Sequence, residues 1–187
     1  GMVNKYITNV SSDFEVDDEL GETKARDGAI ATIGGLITEK TIKTTKKGQL
    51  MAFLTVEDVV GTVEVVVFPN SFTANRVVID HAEKVFVTGK VQANVDENAK
   101  LICDKVVDFA SIPRKLWIRF ASLSDYEDKK DELYGILYNS DGKDTVVIYC
   151  TKENKRLTLP ASRTIRVDSE LIQKLQSMYG EKNVTTT

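Results

Sequence analysis

Two alternating strands joined by a tight turn, then a helix, then two more strands, predict a barrel between residues 29 and 110. A glycine pair inside a long first strand, suited to a bulge or sharp coil, fits the same order of elements. The predicted class is mainly β and α+β: a five-stranded OB-fold barrel over 29–110, followed by a small α+β domain over 111–187. Residues 1–28 are read as an acidic linker or loosely packed lead-in, with a turn near Leu20-Gly21.

The elements follow in order. Ala29–Lys40 is rich in Ile and Thr and carries Gly34-Gly35, suited to a bulge or sharp coil. Thr44-Thr45-Lys46-Lys47-Gly48 turns the chain. From Leu50 to Glu57 the pattern alternates, with Leu50, Ala52, Leu54 and Val56 on the core face and Met51, Phe53 and Thr55 opposite. Asp58-Val59-Val60-Gly61 is a hairpin turn, in which Asp58 accepts backbone hydrogen bonds. Thr62–Phe68 alternates again, with Val63, Val65 and Val67 inward. A helix starts at Pro69-Asn70-Ser71, with Ser71 as its N-cap, and runs through Phe72, Val77, Val78 and Ile79 to His81, which caps or is solvated. Strands Lys84–Val91 and Leu101–Val107 complete the barrel.

Ser111-Ile112-Pro113-Arg114 marks a domain boundary. Beyond it the pattern predicts a strand at Leu116–Ala121, a helix from Asp125 to Tyr138 and a strand at Thr145–Cys150. Shorter strands follow at Arg156–Leu159 and Thr164–Val167. The last helix, Ser169–Met178, is capped by Asp168 and stopped by Gly180. Thr185-Thr186-Thr187 reads as a frayed end.

Composition narrows the function. Hydrophobic and charged fractions of 42% and 28% belong to an ordinary globular protein and argue against disorder. No apolar run approaches the roughly 20 residues of a membrane helix, and the start lacks a secretory apolar stretch, so a cytoplasmic setting is expected. Gly1 ahead of Met2 reads as a residue left by tag cleavage, which suggests a fragment. Cys103 and Cys150 read as buried reduced thiols, although a disulfide between them stays open. With one histidine, His81, and no CxxC pair, no metal site is expected. No phosphate-binding glycine loop or nucleophile–base pair is present, so neither a cofactor nor a catalytic residue is predicted. The net charge of −3 divides into −4 over 1–28, −1 over 29–110 and +2 over 111–187. Nucleic acid is therefore compatible with the rest of the chain, but binding must rely on locally placed lysines.

Those lysines and the outward strand residues form the candidate site. An aromatic on the outer face of a barrel strand is a platform on which a base stacks, and Phe53 has that position. Met51 lies beside it, and Thr55 and Glu64 offer hydrogen bonds to base edges. Lys43, Lys46 and Lys47, in or beside the first loop, neutralise phosphates, and Lys90 lies on the fourth strand. Each has a plainer reading: Phe53 packs under the helix or against the second domain, and the lysines are a solvated turn. Phe68 reads as a core or hinge residue, while Phe86 either extends the face or covers the helix.

The run from Thr44 to Pro69, through Lys46-Lys47-Gly48-Gln49-Leu50-Met51-Ala52-Phe53-Leu54-Thr55, resembles the OB domain of the bacterial DNA polymerase III alpha subunit. Gly35-Leu36-Ile37-Thr38 and Val85–Val91 fit the same pattern. Shorter versions occur in anticodon-binding OB domains of class II aminoacyl-tRNA synthetases, where the residue matching Phe53 stacks on a base and the one matching Glu64 reads one. Leu116-Trp117-Ile118-Arg119, Arg163–Val167 and Leu171–Gly180 resemble the alpha subunit's extreme C-terminal domain. The resemblance implies a non-catalytic piece of a replicative polymerase, since the PHP, palm, fingers and thumb regions have no counterpart. It implies single-stranded DNA template as ligand of the barrel, and the clamp-loader tau subunit or another replisome protein as partner of the C-terminal domain. A protein-interaction module with the barrel as spacer, and a tRNA anticodon-binding domain, remain the alternatives.

Overall fold

The computed structural model describes residues 5–187 and divides the chain into two units, one ending at Ile112 and one running from Pro113 to Thr187. In the first, β1 (Ile30–Thr44), β2 (Leu50–Glu57), β3 (Thr62–Val67), β4 (Lys84–Gln92) and β5 (Lys100–Asp108) close into a barrel of order β1-β2-β3-β5-β4. The first half of β1 pairs with β4, from Ile30↔Lys90 to Leu36↔Lys84, and the second half with β2, from Leu36↔Glu57 to Thr44↔Leu50. Gly35 sits where the partner changes, and a Cβ there would collide with the carbonyl of Glu57. The bulge itself falls just beyond, between Ile37 and Glu39. Short parallel pairing of Val65 with Leu101 and Val66 with Ile102 seals the wall.

Strand alternation fills the barrel. Ala52, Leu54, Val56, Val63, Val65 and Val67 are all buried in one core cluster. Leu50, expected inside with them, is 39% exposed. The β2–β3 register starts at Ala52↔Val67, so Leu50 extends past the barrel mouth, where β3 no longer covers it. Helix α1 (Pro69–His81) closes one end with Phe72 and Ile79. Its N-cap is Phe68, with Pro69 already in the first turn. Ser71, expected as the cap, instead donates from Oγ to the carbonyl of Cys103. Asn75 is buried beside it, accepting from Val106 N and donating to Asp104 O, which fixes the helix to β5. Val77, also within the helix, is exposed.

The segment read as a loose lead-in is built into the barrel; its residues 1–4 lie outside the described residues. Phe14 and Ala25 belong to the barrel core, at 2% and 4% exposure. Ser11 is fully buried, its N and Oγ donating to the Asp58 carboxylate at 2.7 and 2.6 Å. Ala99 N donates to Phe14 O, and Gly28 N to Val91 O. One aromatic among acidic residues has no period to reveal this packing. The turn lies where it was expected, with Gly21 N donating to Asp17 O at a φ of 66°.

In the second unit β6 (Lys115–Phe120), α2 (Leu123–Leu137) and β7 (Thr145–Cys150) make a parallel crossover, extended by hairpin partner β8 (Lys155–Thr158). Helix α3 (Ser169–Tyr179) then leads into β9 (Val184–Thr186), giving a sheet of order β8-β7-β6-β9. Asp168 caps α3 by accepting from Leu171 N, and Gly180 ends it at a φ of 97°. Two expectations fail here. Thr164–Val167 is no strand, and contributes only an isolated bridge from Ile165 to Asp144. The threonine tail is not frayed: it is β9, hydrogen-bonded along β6, with Thr187 and Lys115 exchanging both backbone bonds.

Candidate nucleic-acid interface

The outer face of the barrel wall is set by register. Thr41, Phe53, Val66, Ile102 and Lys90 are successive partners across β1, β2, β3, β5 and β4, so their side chains share the outer surface. With neighbouring strands about 4.8 Å apart, Phe53 and Lys90 stand roughly 14 Å apart around the wall.

Phe53 is 38% exposed, which excludes burial under α1. The Lys43 ammonium lies over its ring, 5.2 Å from the centroid. Lys43 pairs with Met51 across β1 and β2, and Met51 is half-buried beside the ring. Thr55 is the next outward residue on β2, its Oγ1 donating to Glu39 Oε2 at 3.5 Å. Glu64 lies opposite Thr55 on β3 and forms an exposed ion pair with Lys100 at 3.5 Å. An exposed pair of this kind is weak and easily exchanged.

Lys46 and Lys47 stand exposed at the tip of the β1–β2 turn. The turn is tight: Thr45 N donates to Gln49 O at 2.7 Å, Gly48 N to Thr45 O at 2.9 Å, and Gly48 takes a φ of 78°. The two lysines therefore extend the line of Lys43 beyond the barrel mouth. Lys90 is exposed on β4.

Three other aromatic or apolar positions resolve differently. Val66 faces outward but is only 7% exposed, so it is wall and not platform. Phe86 also faces outward and is buried, covered by Tyr6 at 5.6 Å and stacked on Phe109 at 5.5 Å between centroids. Phe68 is 50% exposed at the start of α1 and takes no part in the core. Lys100 and Ile102 were missed. They join the face only because β5 lies beside β3, and no local pattern in the sequence announces a parallel pairing between strands separated by a helix and a strand.

Asp58 is engaged in the fold. Burial alone raises its pKa, but hydrogen bonds from Ser11 Oγ, Gly61 N, Ser11 N and Val60 N outweigh that and hold it below the ordinary aspartate value. Both cysteines are free and buried in separate cores; burial, then the nearby Asp104 charge, pushes the Cys103 thiol up to about 12. Among the described residues no group of three His, Cys, Asp or Glu side chains is placed to hold a metal, and no helix is long and apolar enough to cross a membrane. An apolar groove of about 500 Å³ opens at the far end of β2, between Val10, Leu36, Val59, Phe86 and Phe109, and no predicted site residue lines it.

Residues 31–108 match the family described as OB-fold nucleic acid binding domain. The barrel is an OB fold. The chain is 31% identical over 160 residues to the DNA polymerase III subunit alpha of Bacillus subtilis, covering 82% of this chain and 14% of that protein. The DNA polymerase III subunit alpha of Halalkalibacterium halodurans is 25% identical over 175 residues, or 91% of this chain and 16% of that protein. The solved mitochondrial single-stranded DNA binding protein Rim1 of S. cerevisiae aligns with 44% of this chain and 97% of its own at 17% identity and a TM-score of 0.35, too low to bear on function. Over most of its length the chain thus resembles a short segment of bacterial DNA polymerase III alpha subunits, as its sequence predicted.

Proposed function

We propose that the OB barrel binds single-stranded DNA on its outer face, and that the second unit docks a protein of the replication machinery, so that the chain acts without catalysis of its own in a cytoplasmic replisome. The observation that carries the first part is Phe53: an exposed ring on the outer wall, with a lysine already over it and two more at the adjacent turn. A base arriving on the ring displaces the Lys43 ammonium, which then meets the phosphate of the same strand. Stacking contributes roughly 1–3 kcal/mol per base. Lys46 and Lys47 continue the phosphate track, and Thr55 and Glu64 face the base edges. Docking rests on the alpha-subunit likeness, which reaches into the second unit; the clamp-loader tau subunit is the first partner to try.

Fluorescence anisotropy of a labelled oligothymidylate at low salt tests the barrel. Phe53→Ala should weaken binding by roughly 5- to 150-fold, matching the stacking range. Lys46→Ala/Lys47→Ala should lower the salt slope by about 1.4, near 0.7 per lost single-strand phosphate contact. Binding unchanged in both variants removes this face from the proposal.

A further inference from the structure

The sheet of the second unit has one face covered and one open. Leu116, Ile118, Phe120, Val146, Ile148, Cys150 and Val184 alternate into a core shared with α2 and α3. Their strand neighbours point the other way and form a surface of distinct chemistry. One row across the sheet is Arg156, Tyr149 and Arg119; the next is Thr158, Val147, Trp117 and Thr185; Lys115 follows. No strand position on this face carries a carboxylate.

The groups are held in place. The Arg156 guanidinium lies over the Trp117 ring, 5.5 Å from its centroid. Trp117 Nε1 donates to Thr187 Oγ1 at 2.9 Å, so the residue that follows β9 fixes the orientation of the indole. Arg119 Nε donates to Asn183 Oδ1 at 3.0 Å and its Nη2 to Lys182 O at 3.2 Å, and Nη1 takes part in neither bond. Tyr149 OH donates to Asn154 Oδ1 at 2.9 Å. Both rings are half-buried, and a shallow cavity of about 290 Å³ runs over Trp117, Arg119, Tyr149 and Lys182.

We infer that this open face is a second binding surface for single-stranded nucleic acid, separate from the barrel wall. The argument is charge complementarity joined to stacking. Lys115, Arg119, Arg156 and Lys182 offer cations to phosphates with no carboxylate in the strands to compete. Trp117 and Tyr149 offer two rings on adjacent strands, and open sheets read single strands by stacking bases on such aromatics. Arg156 exchanges the indole for a phosphate as the base stacks. A protein surface would need carboxylates of its own to answer four cations, and apart from the two rings the one apolar strand residue on this face, Val147, is buried at 4% exposure and offers a partner no apolar centre.

Trp117 is the chain's single tryptophan, so its fluorescence reports on this face alone. Titrating the full chain with unlabelled oligothymidylate at low salt should quench Trp117, and high salt should reverse the quench. The quench should persist in Phe53→Ala, which disables the barrel wall, and fall at least several-fold in apparent affinity in Arg119→Ala/Arg156→Ala. Circular dichroism of that variant must match the parent, and Arg119→Lys/Arg156→Lys should recover part of the affinity. Oligonucleotide binding by anisotropy with no change in Trp117 overturns the inference, as does a quench that vanishes in Phe53→Ala. Quenching by the tau subunit but not by oligonucleotide also overturns it and makes the face a protein dock.

Discussion

Asp58 links the β2–β3 turn to the segment before the barrel through one carboxylate. Four donors reach it, two from the turn and two from Ser11. Charged hydrogen bonds contribute about 1.5–3 kcal/mol each when partners are removed singly, but they act here as one unit, so Asp58→Ala should cost about 2 kcal/mol. The folded pKa lies below the unfolded one, so this stabilisation is complete above the unfolded pKa and is lost as pH falls through the folded pKa. Urea titrations at neutral and strongly acidic pH check this: the gap between parent and variant should close in acid. A gap independent of pH contradicts the linkage. At the same scale Phe53 was legible from alternation alone, because β2 keeps strict period from Met51 to Glu57. The burial of Val66 and Phe86 was not: both face outward by alternation, and Phe86 is covered by Tyr6 and Phe109, which are remote in sequence.

At the scale of elements, the strands of the barrel were read closely because each alternates and ends in a turn residue. β2 runs over the predicted Leu50–Glu57, and β7 over the predicted Thr145–Cys150. Elements without a period were misread. Ser11–Phe14 is a single 3-10 turn whose one aromatic enters the core, and β9 is three residues at the chain end. Threonine's β-branch favours strands, but a lone terminal run has no alternation to show it. β9 buries Val184 to 1% exposure against β6. Val184→Ala should therefore destabilise the second unit by about 2 kcal/mol, from lost methyl burial and the cavity left. Thr186→Ala, on an exposed residue of the same strand, should change little. Equal melting of Val184→Ala and the parent would mean that the tail does not pack.

For the whole molecule, the fold class was legible because element order constrains topology: strands, helix, strands, with one strand long enough to pair twice. The assembly of the outer face was only half legible. Lys43, Met51, Phe53, Thr55 and Glu64 follow from the β1–β2–β3 register, whereas the parallel β3–β5 contact that adds Lys100 and leads round to Lys90 exists only in three dimensions. The near-neutral charge of 29–110 supplies no strong field to concentrate nucleic acid, so the proposed binding would depend on stacking and a few phosphate contacts. The chain covers 14% and 16% of the alpha subunits it resembles, and a single barrel of this kind should bind weakly by itself.

The central claim is that a base sits on the barrel's outer wall at Phe53. Photocrosslinking of the full chain with an iodo-deoxyuridine oligonucleotide, followed by peptide mapping, reads the contact directly. The account predicts adducts on Met51 or Phe53 of β2, reduced in Phe53→Ala and by excess unlabelled strand. Adducts confined to α1 or to the apolar groove at the far end of β2, with β2 unmarked, would contradict it.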